Sequence, residues 1–225
     1  MVEQLQDQGH PLLTEEEMQH LAEVGQVLKR DEGHTFFREG EETDFALLIK
    51  KGHIKVVLGT RPRIVAIRGP RETVGEMAAV RPQPRTASAI AMDTVEVLLL
   101  PATAWLKFLY DNPRAMHAQL VAADERVSQA TNKVVESDLA VEQKVAKAIL
   151  ELAGKGIGRS TDSGLAMPLS QQDVAALTGA SVDSVKKIIR ALKEQKMIGT
   201  GRQVLYIRRN EALAEIAEGN RTATL

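Results

Sequence analysis

Between Gly33 and Leu100 the sequence alternates short runs of β-prone residues with turns that contain glycine. Strands this short and evenly spaced do not form a wide flat sheet, so they indicate an antiparallel sheet that rolls up or closes on itself. We therefore predict an antiparallel, jelly-roll-like β-roll in the first half of the chain. The predicted strands are Phe45–Ile49, Ile54–Leu58, Ile64–Ile67, Ala87–Ala91 and Val95–Leu100.

Helical periodicity on both sides of this β-rich stretch places the chain in the α+β class. Residues Thr14–Glu17 have the pattern of a capping box, in which a hydroxyl and a carboxylate three residues apart satisfy the first N–H groups of a helix. The helix that they open is predicted to carry Leu21, Val24 and Leu28 on one face.

After Pro101, six apolar residues recur at alternating spacings of four and three, which is a heptad pattern. We call these residues the seam: Met116, Leu120, Ala123, Val127, Ala130 and Val134. Its alanines would let two helices approach closely. The pattern favours a long helix that pairs with its copy in a homodimer. A single amphipathic helix packed on its own sheet is the alternative that the sequence leaves open.

The composition excludes several kinds of chemistry. The 225 residues include no cysteine, which excludes disulfides, thiol nucleophiles and cysteine-ligated metals. The five histidines are scattered, and neither a Walker loop nor a nucleophile elbow occurs, so we expect no metal and no enzyme activity. No apolar run approaches the roughly 18 residues that a membrane helix needs. We therefore expect a cytoplasmic protein without a membrane partner.

One short segment has the side chains of a nucleotide-binding site. Gly75-Glu76-Met77-Ala78 is followed by Arg85-Thr86-Ala87, and we call residues 75–87 the cassette. Glycine lets the backbone approach a ligand closely, and the turn after it offers N–H groups to an anion. A carboxylate can accept from a sugar hydroxyl, and a guanidinium can grip a phosphate with two bonds. This pairing indicates a binding site rather than a catalytic one.

The C-terminal part of the chain has the layout of a helix-turn-helix. Polar residues near Glu136–Asp138 interrupt the seam, and we place the domain boundary there. Ser170 begins a capping box, Gly179 suits a left-handed turn, and Ser181 caps a second, longer helix. Residues 197–207 then predict a β-hairpin with glycines at its turn, in the position of a wing.

Charge supports double-stranded DNA as the partner of this part. Residues 168–209 include eight basic and three acidic side chains, a net charge of +5. Because the whole chain has a net charge of −1, the remaining residues carry −6. A basic segment on an acidic body is typical of a module that binds polyanions. The predicted DNA-binding residues are Gln172, Ser181, Val182, Asp183, Lys186, Lys187, Arg190 and Arg202.

From about residue 14 to 209 the chain resembles the Crp/Fnr transcription regulators. The motifs that carry this resemblance are Gly75-Glu76, Arg85-Thr86-Ala87 and Gln129-Ala130-Thr131-Asn132. It implies a cyclic-nucleotide-binding β-roll with a long dimerisation helix over residues 1–135 and a winged helix-turn-helix over 139–225.

The resemblance also implies residue roles and partners. Glutamate in this pattern binds the ribose 2′-hydroxyl, and arginine binds the cyclic phosphate. The implied ligand-binding residues are Gly75, Glu76, Met77, Ala78, Arg85, Thr86, Ala87, Thr131 and Asn132, the last two reaching the base. A homodimer on a palindromic operator, with RNA polymerase as a further partner, is implied as well.

The chain departs from the family's best-known member on the recognition helix. Val182, Asp183 and Lys187 stand where that member has two arginines and a glutamate, so we do not transfer its operator to this chain.

Two hypotheses about the effector remain open at this point. The first is control by a cyclic nucleotide, with cyclic AMP as first choice and cyclic GMP as second, since Thr86 would bond a guanine amino group. The second is a β-roll that works without an effector or senses another ligand, such as a cyclic dinucleotide. A metal-dependent β-barrel enzyme is disfavoured because such enzymes need clustered histidines.

Overall fold

The computed structural model describes residues 13–223, so residues 1–12 and 224–225 of the predicted domains lie outside the described part. The helices are α1 (Glu15–Val24), α2 (Glu76–Val80), α3 (Ala102–Asp111), α4 (Pro113–Val135), α5 (Val141–Gly154), α6 (Gln171–Thr178), α7 (Val182–Glu194) and α8 (Asn210–Ala217). The strands are β1 (Gln26–Arg30), β2 (Thr35–Phe37), β3 (Phe45–Lys51), β4 (Ile54–Leu58), β5 (Arg63–Arg68), β6 (Thr73–Val74), β7 (Ser88–Ala91), β8 (Val95–Pro101), β9 (Arg159–Thr161), β10 (Gly164–Met167), β11 (Ile198–Gly201) and β12 (Val204–Ile207).

The chain divides into two compact units. The first comprises residues 1–58 and 66–134, and the second comprises residues 59–65 and 135–225. A 3-10 turn at Glu136–Asp138 follows α4, at the polar interruption seen in the sequence.

The first unit contains the β-roll. One four-stranded sheet has the order β1-β8-β3-β6 and the other has the order β2-β7-β4-β5. The five strands predicted from the sequence are present as β3, β4, β5, β7 and β8, each within two residues of its predicted bounds. Three further strands, β1, β2 and β6, were not predicted, and two of them have only two or three residues.

Strand β3 connects the two halves of the core because it is buried on both faces. Ala46 and Leu48 pack under α1 and α3 with Trp105, whereas Leu47 and Ile49 face the interior of the roll. Successive side chains of a strand point to opposite faces, so a continuous apolar run is what a strand buried on both sides requires.

Helix α1 begins as predicted but ends earlier. The Thr14 hydroxyl accepts from the Glu17 N–H, and the Glu17 carboxylate accepts from the Thr14 N–H, which completes the capping box. The helix ends at Gly25, whose missing side chain lets the backbone lie against β8: a Cβ there would be 2.7 Å from Leu98. The prediction that Leu28 extends the helix is therefore wrong; Leu28 lies in β1 and pairs with Val97.

The second unit is a small helical bundle on a four-stranded antiparallel sheet with the order β11-β12-β10-β9. The buried faces of α5, α7 and α8 supply its core, which includes Val145, Ile149, Leu152, Val185, Ile189, Leu192, Leu213 and Ile216.

The ion pair between Glu17 and Arg114 gives the stability of the first unit a dependence on pH. Burial raises the pKa of the Glu17 carboxyl, but hydrogen bonds from Arg114 and Thr14, together with attraction to Arg114, outweigh it and lower that pKa. A lowered carboxyl pKa stabilises the fold above the unfolded value of about 4.3, and this contribution disappears as pH falls through the folded value.

We therefore expect Glu17→Gln to lower the free energy of unfolding at neutral pH, and the difference from wild type to shrink below about pH 4. Urea denaturation of both proteins across pH measures this. The neighbouring exposed Glu16 provides the control Glu16→Gln, which removes a carboxylate outside this pair. A Glu17→Gln difference that is constant with pH would contradict the assignment.

Candidate functional site

Gly75 shapes the cassette, because it caps α2 in the left-handed conformation with φ of 81°. A Cβ at this position would lie 2.6 Å from Arg85 Nη1 and 2.9 Å from the Phe37 ring. Both the backbone conformation and the close approach therefore require glycine. Helix α2 has only five residues, so its dipole would contribute little to the binding of an anion here.

Arg85 is 3% exposed and holds three segments of the roll together. Its Nε donates to Thr43 Oγ1, its Nη1 to the Gly75 carbonyl and its Nη2 to the Phe45 carbonyl, each at 2.6 Å. The guanidinium also lies 4.0 Å from the centre of the Phe37 ring and 4.6 Å from that of Phe45.

The same guanidinium keeps donors for a ligand. Burial lowers the pKa of Arg85, while attraction to Glu76, Asp44 and Glu41 opposes that effect. Three of its five N–H groups are bonded within residues 13–223, which leaves one hydrogen on each terminal nitrogen for a phosphate.

Glu76 is 7% exposed and forms an ion pair with Arg126 of the long helix α4. Arg126 Nη1 donates to Glu76 Oε1, and Arg126 Nη2 donates to the Thr73 carbonyl at 3.0 Å. The carboxylate predicted to bind a sugar hydroxyl is therefore already bonded to a guanidinium from the helix that carries the seam.

A third guanidinium lies beside this pair. Arg68, the last residue of β5, has a side chain that is 10% exposed, and its Nη1 donates to Glu72 Oε1 at 3.2 Å. The other oxygen of Glu72 accepts from the Gly69 N–H at 2.6 Å, which fixes the carboxylate in its turn. Burial lowers the pKa of Arg68, and repulsion from Arg126 lowers it further, against attraction to Glu72 and Glu76.

The remaining predicted cassette residues divide by exposure. Ala78 and Ala87 are buried packing residues, whereas Met77 is 54% exposed and Thr86 is exposed. Thr86 follows Arg85 directly, so its hydroxyl is available to a ligand that reaches that arginine.

The structure does not bring Thr131 and Asn132 to the cassette in the way it brings Arg126. Both are exposed on α4, and the Thr131 hydroxyl donates to the Val127 carbonyl in its own helix at 3.0 Å. At about 100° per residue, Thr131 lies roughly 140° around the helix from Arg126, and Asn132 lies about 120° away in the other direction. Their role at the base stays a prediction.

The seam is exposed along α4 in the single chain. Leu120, Val127 and Val134 are 65–70% exposed, and Met116 is 37% exposed. An apolar row of this length on one helix face, open to solvent in a single chain, is the pattern of an interaction surface.

The second unit contains the predicted helix-turn-helix. The Ser170 hydroxyl accepts from the Asp173 N–H at the start of α6, and Gly179 ends that helix with φ of 68°. The Ser181 hydroxyl accepts from the Ser184 N–H and so caps α7. Because that hydroxyl also donates to Ser184 Oγ, Ser181 positions the helix and has less capacity to bind DNA directly.

Three of the other predicted DNA-binding residues line a cleft, and the rest are exposed. A cleft of about 330 Å³ lies between the starts of α6 and α7 and the hairpin β11–β12, and its lining includes Gln172, Val182 and Lys186. Asp183 lies 3.4 Å from Lys186 and reduces the positive charge at this end of α7. Lys187, Arg190 and Arg202 are exposed as well.

The wing forms as predicted, with a different turn. Gly199 and Gly201 lie within β11, and the turn consists of Arg202 and Gln203, the latter with φ of 56°. Gly199 packs closely instead, since a Cβ there would lie 3.1 Å from the Arg208 guanidinium. Arg202 is thereby placed at the tip of the wing.

Residues 13–223 contain neither a membrane span nor a metal centre. No helix in this range is long and apolar enough to cross a bilayer. The same residues contain no group of three or more side chains arranged to hold a metal ion.

Sequence reasoning missed the side chains that complete the cassette from a distance: Phe37, Thr43, Phe45, Arg68 and Arg126. These residues lie on other strands, on α4 or, for Thr43, in the loop before β3, up to 50 positions away, and no local spacing marks them.

Comparison with known protein families identifies both units. Residues 28–112 match the cyclic nucleotide-binding domain, and residues 143–216 match the Crp-like helix-turn-helix domain. A cyclic nucleotide-binding β-roll followed by this helix-turn-helix defines a DNA-binding transcription regulator. The chain belongs to the Crp/Fnr family, and several relatives that it matches over most of its length are named transcriptional regulators.

Relatives and solved structures agree with this assignment. The chain is 29% identical to the Cyclic AMP receptor protein of Thermus thermophilus, covering 84% of this chain and 86% of that one. It is 28% identical to the CRP-like cAMP-activated global transcriptional regulator of Mycobacterium tuberculosis, covering 82% and 85%. The fold matches that of the c-di-GMP responsive global regulator CLP of Xanthomonas campestris with a TM-score of 0.75 and 16% identity, covering 86% and 99%.

The geometry of Gly75 predicts a specific sensitivity. Gly75→Ala must strain the left-handed backbone and push against Arg85 and Phe37, so we expect a loss of about 1–3 kcal/mol in the free energy of unfolding. Gly33, with φ of 83° and open space within 4 Å of where a Cβ would lie, gives the matched control Gly33→Ala, which should lose only the smaller backbone part. Chemical denaturation compares the two, and equal losses would show that the contact with Arg85 is unimportant.

Proposed function

We propose that this regulator is controlled by a cyclic mononucleotide bound at the cassette, with Glu76 on the ribose and Arg85 on the cyclic phosphate. The observation that carries the proposal is that Glu76 and Arg85 are both more than 90% buried within one short segment. Gly75 precedes Glu76, its carbonyl accepts from Arg85, and a Cβ at its position would clash with that arginine. A buried carboxylate and a buried guanidinium are expensive to maintain without a function for their polar atoms.

The number of buried arginines in the cassette supports a ligand with one phosphodiester. Within residues 75–87, Arg85 is buried and keeps donors for a phosphate, whereas Arg81 is exposed. A cyclic dinucleotide carries two phosphodiesters and would need a second buried donor group, so we rank that alternative second.

The cassette contacts parts of the ligand that cyclic AMP and cyclic GMP share. These residues therefore do not separate the two nucleotides, and the names of the relatives from Thermus thermophilus and Mycobacterium tuberculosis make cyclic AMP the first candidate. Discrimination between the two bases must come from side chains outside the pair Glu76 and Arg85.

The bond between Glu76 and Arg126 supplies a route from ligand to helix. A ribose hydroxyl that donates to Glu76 would share that carboxylate with Arg126, so binding would change how α4 is held to the roll. A ligand shifts a conformational equilibrium only by its differential affinity for the two states, and this change in bonding provides such a difference.

The output of the switch is a pair of helix-turn-helix units on one operator. We propose that two copies of α4 pair along the seam, since its apolar row is exposed in the single chain. A symmetric dimer would place two α7 helices on half-sites about 34 Å apart in a palindromic operator. On each half-site, the side chains that would contact phosphates are those of Lys186, Lys187, Arg190 and Arg202, and those that would face base edges are Val182 and Lys187. RNA polymerase is a further expected partner of the dimer.

Titration calorimetry tests the effector. We expect wild-type protein to bind a cyclic mononucleotide, and both Glu76→Gln and Arg85→Lys to weaken that binding by about tenfold or more. Glu76→Gln loses the charge-assisted hydrogen bond to the ribose, and Arg85→Lys loses the bidentate hydrogen bonding of the guanidinium to the phosphate. Arg81→Lys, an exposed arginine in the same segment, should bind as wild type does. Thermal unfolding confirms that each variant is folded, and absence of heat with both cyclic AMP and cyclic GMP would reject the proposal.

Sedimentation equilibrium tests the dimer. Val127→Lys places a charge in the middle of the seam and should convert the dimer to monomer at micromolar concentration, together with a loss of operator binding. Ser128→Lys adds the same charge one position off the seam and should leave the dimer intact. A dimer that tolerates Val127→Lys would place the interface on another surface.

A further inference from the structure

Arg68 is a buried guanidinium with fewer partners than it has donors. Its side chain is 10% exposed, and within residues 13–223 its one hydrogen bond is the one from Nη1 to Glu72. Arginine carries five N–H donors and stays charged in proteins, so four donors have no partner in the described part of the chain. Burial of a charge with so few bonds is unfavourable unless another group completes them.

The free donors of Arg68 are not sealed inside the protein. In the described range the one side-chain nitrogen or oxygen that is both inaccessible and unbonded is Trp105 Nε1. The unbonded nitrogens of Arg68 therefore border space that a small molecule or water can enter.

The order of bonds along one segment shows which part of a ligand Arg68 would meet. Arg68 is bonded at Glu72, Arg126 at Thr73 and Glu76, and Arg85 at the Gly75 carbonyl. At about 3.3 Å per residue, the positions of Glu72 and Gly75 are roughly 10 Å apart. The bonds of Arg68 and Arg85 to this segment are thus separated by three residues, and Arg126 bonds on both sides of Gly75.

The electrostatics agree with this order. Arg126 and Glu76 both act on Arg68, whereas the charges that act on Arg85 are those of Glu76, Asp44 and Glu41. With the phosphate at Arg85 and the ribose at Glu76, the remaining part of a nucleotide at the Arg68 end is its base.

We infer that Arg68 contacts the base of the bound cyclic nucleotide and selects a base with a carbonyl oxygen beside a ring nitrogen, as in guanine, over adenine. This inference rests on the proposed function and places cyclic GMP before cyclic AMP. A guanidinium matches the O6 and N7 acceptors of guanine with two bonds. Adenine offers N7 but presents an amino group in place of O6, so a donor then faces a donor.

Calorimetry with three nucleotides tests the selection. We expect wild-type protein to bind cyclic GMP about tenfold more tightly than cyclic AMP. Cyclic IMP, which has O6 and N7 but no 2-amino group, should bind as cyclic GMP does. A strong preference for cyclic GMP over cyclic IMP would overturn the inference, because it would assign selection to the amino group, as at Thr86.

The variant Arg68→Leu removes the donors. It should lower the affinity for cyclic GMP and cyclic IMP by about tenfold and leave cyclic AMP binding nearly unchanged, so retained cyclic AMP binding also reports a folded site. Arg68→Lys keeps the positive charge but lacks the two parallel donors of a guanidinium, so it should recover part of the preference for cyclic GMP and cyclic IMP over cyclic AMP. Arg63→Leu, at the exposed start of the same strand, is the matched control and should bind all three nucleotides as wild type does.

Each other outcome is decisive. An equal loss for all three nucleotides in Arg68→Leu, or a wild-type preference for cyclic AMP, overturns the inference and leaves the proposed function standing. Absence of heat with every nucleotide in wild-type protein rejects the proposed function, and the inference with it.

Discussion

The buried guanidinium of Arg85 is the interaction on which the architecture of the first unit depends. It bonds to Thr43, to the Gly75 carbonyl and to the Phe45 carbonyl, and it lies against the rings of Phe37 and Phe45. One cation thereby joins β2, β3 and the start of α2. A binding residue that also holds its own site together makes the site stiff, because it cannot move without disturbing both sheets.

Beyond the buried Ala115 and Ala118 near its start, the long helix is attached to the rest of the first unit by polar contacts. Arg114 bonds to Glu17 of α1, Gln119 accepts from Thr73, and Arg126 bonds to Glu76. Polar contacts exchange partners more readily than packed side chains do, since water or a ligand can replace either partner. The last of the three ends on the carboxylate that we assign to the ribose, so ligand chemistry and helix position are linked at one side chain.

Local patterns predicted local structure well. Both capping boxes, the five predicted strands of the roll and the two helices of the DNA-binding motif follow from residues within a few positions of each other. Predictions failed where a distant contact decided: Leu28 continues a helical pattern, but Gly25 must lie against β8, and the chain leaves the helix there. The wing's turn also differs, since Gln203 takes the positive φ that glycine was expected to provide.

The sequence by itself determined the two-part organisation, the cassette and the basic outer face of α7, because each depends on spacing within one segment. Only the tertiary structure decided which charges meet. Arg126 joins Glu76 across 50 positions, and Arg68 is turned inward beside them although it ends an ordinary short strand. The physical reason is that a rolled sheet brings together strand ends that are remote in the chain, and the charge balance of a buried site is set by that closure.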